Sequence, residues 1–225
     1  MIVLDDWQRF AGERAPAHGE LSGTLHVYCT VTAAQGIVPD LLARLRGTHP
    51  GIRIELATGY ATDAIDRLRG GDIDVSIAAL PDRLPPGIVS HVLTTTRIVL
   101  VGPMQGPLFD TTKRRPLDWS QIPLVLPAFG LARDSVNQWL TARGVVPVVY
   151  SELQGHEAIL ALVALGCGVG VVPRLVLEKT ALRDQIVEIP VRPMLRGLRI
   201  GICVRDKSLS SPPVAAVWDL ARGVQ

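Results

Sequence analysis

From residue 24 onward the apolar positions switch repeatedly between a strand rhythm and a helix rhythm. TLHVYC (24–29) is a β-rich apolar run, and Ile37, Leu41, Leu42 and Leu45 then fall at helical spacing. IRIELAT (52–58) alternates as a strand, and ATDAIDRLRGG (61–71) reads as a short helix closed by Gly70-Gly71. DVSIAAL (74–80) is another strand, and prolines 81, 85 and 86 end this unit. IVSHVL (88–93) and RIVLVG (97–102) are two further strands, with the polar TTT between them as a turn. Residues 104–119 read as a loop. A second alternation follows: strand 122–128, helix 130–144, strand 146–152, helix 156–166 and strand 169–173. The helix at 156–166 is apolar nearly all round and is expected to be buried on several sides. RLVLEKTAL and IVEIPV add a helix and a strand, LRIGICV (198–204) a strand and PPVAAVWDLA (212–221) a helix.

This rhythm predicts an α/β protein with two units, each a largely parallel sheet faced by helices. Chains of this kind often cross between their units twice, which puts the joints near 101–103 and 195–198 and returns the last strand and helix to the first unit. The expected division is 22–101 plus 197–225 for the first unit and 102–196 for the second. Residues 1–21 differ from the rest. Ile2, Val3, Trp7 and Phe10 suggest the end of an apolar-striped helix, and GERAPAHGELSG breaks it as a linker. A helix that continues upstream and a frayed N-terminal tail both fit this segment.

Composition narrows the classes. Hydrophobic residues make up 48% and charged residues 20%, so a core is available and wholesale disorder is excluded. Formal net charge is +2, and the one dense basic run, Lys113-Arg114-Arg115, is too short for a nucleic-acid surface. No apolar stretch reaches the roughly 18 residues of a membrane span, and MIVLDDWQRF does not read as a secretory signal. Cys29, Cys167 and Cys203 are widely spaced in apolar runs. They are expected to be reduced, buried thiols in a cytoplasmic protein.

Catalytic motifs are missing from the sequence. His156-Glu157 lacks the second histidine of a zinc helix. Gly166, Gly168 and Gly170 follow a helix and open a strand, the reverse of a dinucleotide fingerprint, and read as a helix cap and close packing. Asp72 and Asp74 read as turn residues rather than metal ligands. Four loop-to-helix junctions carry more promise: 29–34 with Thr30 and Thr32, 58–63 with Thr58 and Gly59, 129–133 with Phe129, Gly130 and Arg133, and 154–157 with Gly155, His156 and Glu157. Ligands of open α/β sheets bind beyond the carboxyl ends of strands, and helix N-termini offer free N–H groups to an anion. Four such junctions shared between two units predict a cleft that binds a small acid.

GTLHVYCTVTAAQGIVPDLLARLRGTHPGIRIELATG, followed by GGDIDVSIAALP and GHEAILALVALGCGVGVVPRLVLE, resembles the effector-binding domain of LysR-type transcriptional regulators over residues 20–220. YCTVTAA (28–34) and GHEAILALVALGCGVGVVP (155–173) are closer still to those members that activate the acetohydroxy acid isomeroreductase gene of branched-chain amino acid synthesis. The resemblance implies two Rossmann-like subdomains joined by two crossover strands, the type 2 periplasmic-binding-protein fold. It implies a winged helix-turn-helix outside this chain, with residues 2–12 as the end of a linker helix. It implies a homodimer or homotetramer, in which 37–57 of one copy faces 132–150 of the next, and no cofactor. The implied inducer is acetolactate or acetohydroxybutyrate. Thr30, Thr32 and the N–H groups around Ala33 would bind its oxygens, with Thr58 and Gly59 on the same side. His156 and Glu157 would face the hydroxy-ketone end, and Arg133 would assist the carboxylate. Phe129 stands where the resemblance implies a polar residue. The alternatives weighed against this are a sensor of another small carboxylate, a solute-binding protein of the same fold, and an enzyme on a similar α/β pair.

Overall fold

The computed structural model describes residues 21–113 and 116–223. The expected helix end at 2–12, the linker up to residue 20, and Arg114 and Arg115 lie outside the described residues.

The first sheet is built from β1 (Gly23–Cys29), β2 (Ile52–Thr58), β3 (Val75–Ala79), β4 (Ile88–Thr96) and β10 (Leu198–Arg205), in the order β2-β1-β3-β10-β4. β1 runs parallel to β2 and β3, whereas β10 is antiparallel to β3 and β4. The second sheet contains β5 (Ile98–Pro103), β6 (Pro123–Pro127), β7 (Val148–Leu153), β8 (Val169–Pro173) and β9 (Ile186–Ile189), in the order β7-β6-β8-β5-β9. Here β6 is parallel to β7 and β8, and β5 is antiparallel to β8 and β9. The two sheets thus repeat one plan. In each, one strand slots in antiparallel beside the parallel set: β10, which returns from beyond the second sheet, in the first, and β5, which opens the second sheet, in the second.

Helices cover both faces of each sheet. α1 (Val31–Gly36), α2 (Val38–Thr48) and α8 (Pro212–Arg222) pack on one face of the first sheet, where Leu25, Val27, Leu41, Leu45, Val214 and Val217 form one cluster. α3 (Ala64–Gly70) covers the other face through Leu68 against Tyr28 and Ala78. In the second sheet α5 (Leu131–Thr141) and α6 (His156–Ala164) occupy opposite faces. α4 (Pro107–Lys113) and α7 (Arg174–Lys179) complete this lobe. The continuous apolar runs predict strands covered on both faces, and β5 and β8 are buried at every position.

Several local expectations give way. The helix expected after Cys29 is two helices, because Pro39 has no N–H and its ring crowds the carbonyl one turn back, so the chain kinks at Ile37 (φ −127°) and restarts. Thr94, Thr95 and Thr96 are not a turn. They continue β4 opposite Ile200, Arg199 and Leu198, as β-branched residues readily do. The expected loop at 104–119 contains α4, opened by Pro107 at its first position and anchored by the buried Thr112. β5 belongs wholly to the second sheet, so the chain leaves the first sheet at Arg97 rather than at 101–103. The six buried residues of β5 suit an interior strand, and Arg97 is exposed between the two sheets. The helix at 156–166 buries Ile159, Leu160 and Val163, but Ala161 is exposed and Leu165 is 77% exposed, so its apolar character does not mean burial all round.

Cys29 and Cys203 are free and buried, and burial pushes their thiols up to about 11 and about 12, out of the reactive range. Cys167 is free but only half-buried, beside Tyr150, because it lies in the exposed turn after α6 rather than within a strand.

Candidate ligand cleft

Four chain segments leave the carboxyl ends of parallel strands and meet between the two sheets. After β1 come Thr30, Val31 and Thr32, and after β2 come Gly59, Tyr60, Ala61 and Thr62. After β6 come Ala128, Phe129 and Gly130, and after β7 come Gln154, Gly155, His156 and Glu157. Together with Pro173 at the end of β8 and Leu198 and Ile200 of β10, they line a cleft of about 150 Å³.

Thr30 is extended (φ −73°, ψ 153°) and caps α1: its hydroxyl oxygen accepts the Ala33 N–H at 3.2 Å. Its O–H remains free to donate into the cleft. Thr32 is buried, and its hydroxyl has no hydrogen-bond partner among the described residues. Capping therefore accounts for one of the two hydroxyls and leaves the other uncommitted. Ala33 does not line the cleft, because it is fully buried and its N–H is spent on the cap.

Gly59 lines the cleft and donates its N–H to the Cys29 carbonyl at 3.0 Å. A Cβ there would strike the Tyr28 hydroxyl, so glycine is required by the close approach of that ring. The Tyr28 hydroxyl donates to the Tyr60 carbonyl at 3.0 Å, and burial, reinforced by the nearby Asp63, raises its pKa. Thr58 lies at the exposed end of the edge strand β2 and does not reach the cleft.

On the opposite wall Gly130 (φ 89°) opens α5 and Gly155 (φ 87°) opens α6. At such φ values glycine is strongly favoured. His156 and Glu157 form the first turn of α6, and both line the cleft. His156 is half-buried, and burial pushes its pKa below the ordinary 6.5 while the Glu157 carboxylate pulls the other way. The neutral imidazole is thus the resting form, able to donate at one nitrogen and accept at the other.

Arg133 does not line the cleft. Its guanidinium pairs with Glu152 at 2.7 Å, donates to the Pro127 carbonyl at 3.1 Å and reaches Asn137 at 3.0 Å. Those partners hold it against β6 and β7, away from the cleft. Among the described residues no lysine or arginine lines the cleft, so an anion there is met by the N-termini of α5 and α6, two helices of eleven and nine residues. Also among the described residues, no group of three or more His, Cys, Asp or Glu could hold a metal ion.

Eight of the eleven residues expected from sequence thus converge on one cleft: Thr30, Thr32, Gly59, Phe129, Gly130, Gly155, His156 and Glu157. Tyr60 and Gln154, which also line the cleft, lie within the junctions singled out from sequence, although sequence reasoning gave them no role there. It missed Pro173, Leu198 and Ile200, whose side of the sheet is set by packing that no local pattern reveals.

Two α/β lobes with a polar-tipped cleft between their strand ends define an effector-binding domain, and residues 18–225 match the LysR substrate binding domain; the chain belongs to that family. It is 33% identical over 204 residues to the HTH-type transcriptional regulator IlvY of Escherichia coli K12, covering 89% of this chain and 69% of that protein. It is 29% identical over 215 residues to the transcriptional activator IlvY of Haemophilus influenzae, covering 95% and 74%. These relatives are transcriptional regulators.

Solved structures give the same fold. The cofactor-binding domain of the Cbl transcriptional regulator superposes with a TM-score of 0.77 at 21% identity, covering 93% of this chain and 92% of that one. The effector-binding domain of QuiR in complex with shikimate gives 0.75 at 17% identity, covering 89% and 96%. The fold is the two-subdomain, periplasmic-binding-protein-like α/β arrangement that the resemblance implied. No described helix is long and apolar enough to cross a membrane.

Proposed function

We propose that this chain is the inducer-sensing part of a regulator of branched-chain amino acid synthesis genes, and that its cleft binds a small hydroxy-keto acid, acetolactate or acetohydroxybutyrate. The observation that carries this reading is the Thr32 hydroxyl, without a hydrogen-bond partner among the described residues, in a cleft that also holds the α5 and α6 N-termini and, among the described residues, no basic side chain. Such a set suits one compact carboxylate with hydroxyl and ketone oxygens. The carboxylate lies toward the helix N-termini. Thr30, Thr32 and neutral His156 then exchange hydrogen bonds with the remaining oxygens, while Glu157 accepts from the ligand hydroxyl. The similarity to the IlvY proteins supports this substrate class.

The lobes divide in this reading at Arg97 and before Leu198, and ligand held between them biases their relative placement. The working protein is a homodimer or homotetramer, and DNA is bound by a separate segment. Exposed Leu56 on β2 and exposed Val148, Val149 and Tyr150 on β7 support pairing through the two sheet edges. Phe129, where a polar residue was expected, favours one second reading, a sensor of another small carboxylate.

Calorimetric titration of the purified chain with acetolactate, acetohydroxybutyrate and a set of aromatic acids decides between them. A ligand of roughly nine non-hydrogen atoms contributing about 0.6 kcal/mol each binds with a Kd on the order of 0.1 mM. Thr32→Val is expected to weaken that binding by about 1 kcal/mol through a lost buried hydrogen bond, with unfolding unchanged. Binding of an aromatic acid alone supports the second reading, and unchanged affinity in Thr32→Val removes Thr32 from the site.

A further inference from the structure

The mouth of the cleft is already bridged. Tyr60, in the loop after β2, donates its hydroxyl proton to Gln154 Oε1 at 2.7 Å, and its ring meets Phe129 edge-on with centroids 5.4 Å apart at 79°. Gln154 and Phe129 both belong to the opposite lobe. All three residues line the cleft and yet are exposed, with Tyr60 at 41% and Phe129 at 43%, so they stand at its solvent edge. Other polar links between the lobes lie at the connecting strands instead. Arg196 pairs with Asp82 at 2.6 Å, and the Leu175 N–H donates to the Thr96 hydroxyl at 3.1 Å.

Tyr60 is also held from behind. Its carbonyl accepts from the buried Tyr28 hydroxyl at 3.0 Å and from the Asp63 N–H at 3.2 Å. The backbone of the first lobe is therefore firm where its side chain reaches across. The partners Gln154 and Phe129 each precede a glycine of positive φ at the start of a long helix.

We propose that Tyr60 is the gate of the ligand cleft: by clasping Gln154 and Phe129 it closes the mouth, and a ligand enters or leaves only when that clasp opens. This rests on the cleft being the ligand site. The clasp itself exists without ligand and is testable without one. It acts by polar and ring contacts that a hydroxy-keto acid does not need for itself, so it sets the rate of access rather than the strength of binding.

Amide hydrogen exchange of the ligand-free chain tests the gate, comparing wild type with Tyr60→Phe, which loses only the hydroxyl bond, and Tyr60→Ala, which loses the ring contact too. The gate predicts severalfold faster exchange at the first turns of α5 and α6 and at Thr32, greatest in Tyr60→Ala, with interior amides of β1 and β8 unchanged. Unchanged exchange at the cleft, or an equal rise throughout the chain, overturns it. Where acetolactate binds, stopped-flow titration of the same variants is expected to show association and dissociation rates rising by the same factor at constant Kd. Affinity lost at an unchanged association rate overturns the gate and makes Tyr60 a plain contact residue. Failure of every acid to bind wild type counts against the proposed ligand alone, since the exchange comparison still decides the gate.

Discussion

At the scale of single residues, position on a strand end decides what each polar group can do. Thr30 and Thr32 stand two residues apart, yet one hydroxyl oxygen caps a helix and the other has no hydrogen-bond partner among the described residues. His156 is kept neutral by burial, with a pKa below 6.5. The sign follows from linkage: the folded state holds the proton less tightly than the unfolded chain. The stability that this neutral form allows is present above 6.5 and is lost as pH falls through the folded midpoint. An NMR titration of the imidazole is expected to give a midpoint below 6.5, and one at or above that value contradicts its burial. The hydroxyls, glycines and His156 were legible because they stand together at loop-to-helix junctions. Arg133 misled for the same reason. A cation at a helix start looks available until the strand pairing of Leu126 with Glu152 brings an acid beside it. Tyr60 stood inside the junction at 58–63, but its role was not legible because its partner, Gln154, is 94 residues away.

At the scale of elements, the glycine-rich turn after α6 fixes how that helix sits on its sheet. Gly170 lies on β8 where a Cβ would come within 2.6 Å of Val163 Cγ2 and 2.8 Å of Ile159 Cγ2, both from α6. Gly170→Ala is expected to destabilise the fold by about 1–3 kcal/mol through overpacking. This is read as a lower denaturant midpoint at unchanged slope. An unchanged midpoint would mean that α6 can shift off the sheet at no cost. The strands were legible wherever apolar runs were continuous, as in β3 and β8. The break at Ile37, the helix α4 and the extension of β4 through its threonines were not. Each depends on a proline at a particular position or on a distant strand that offers pairing, and hydrophobic spacing records neither.

At the scale of the whole molecule, two sheets of similar plan are joined by two passages of the chain, and the cleft lies between them. β10 returns to the first sheet between β3 and β4, while β5 enters the second between β8 and β9. Leu198 and Ile200 of β10 and Pro173 of β8 then floor the space that the four junctions wall in. The alternation of strand and helix made two lobes legible, whereas the point of passage at Arg97 was not, since RIVLVG reads the same in either sheet. The central claim is that the guest lies between the lobes and touches both. Crystals of the chain grown with acetolactate test it most directly. The account predicts ligand density between the Thr30–Thr32 turn and the His156 end of α6. Density confined to one lobe, or on the outer surface with the cleft still holding only solvent, would contradict it.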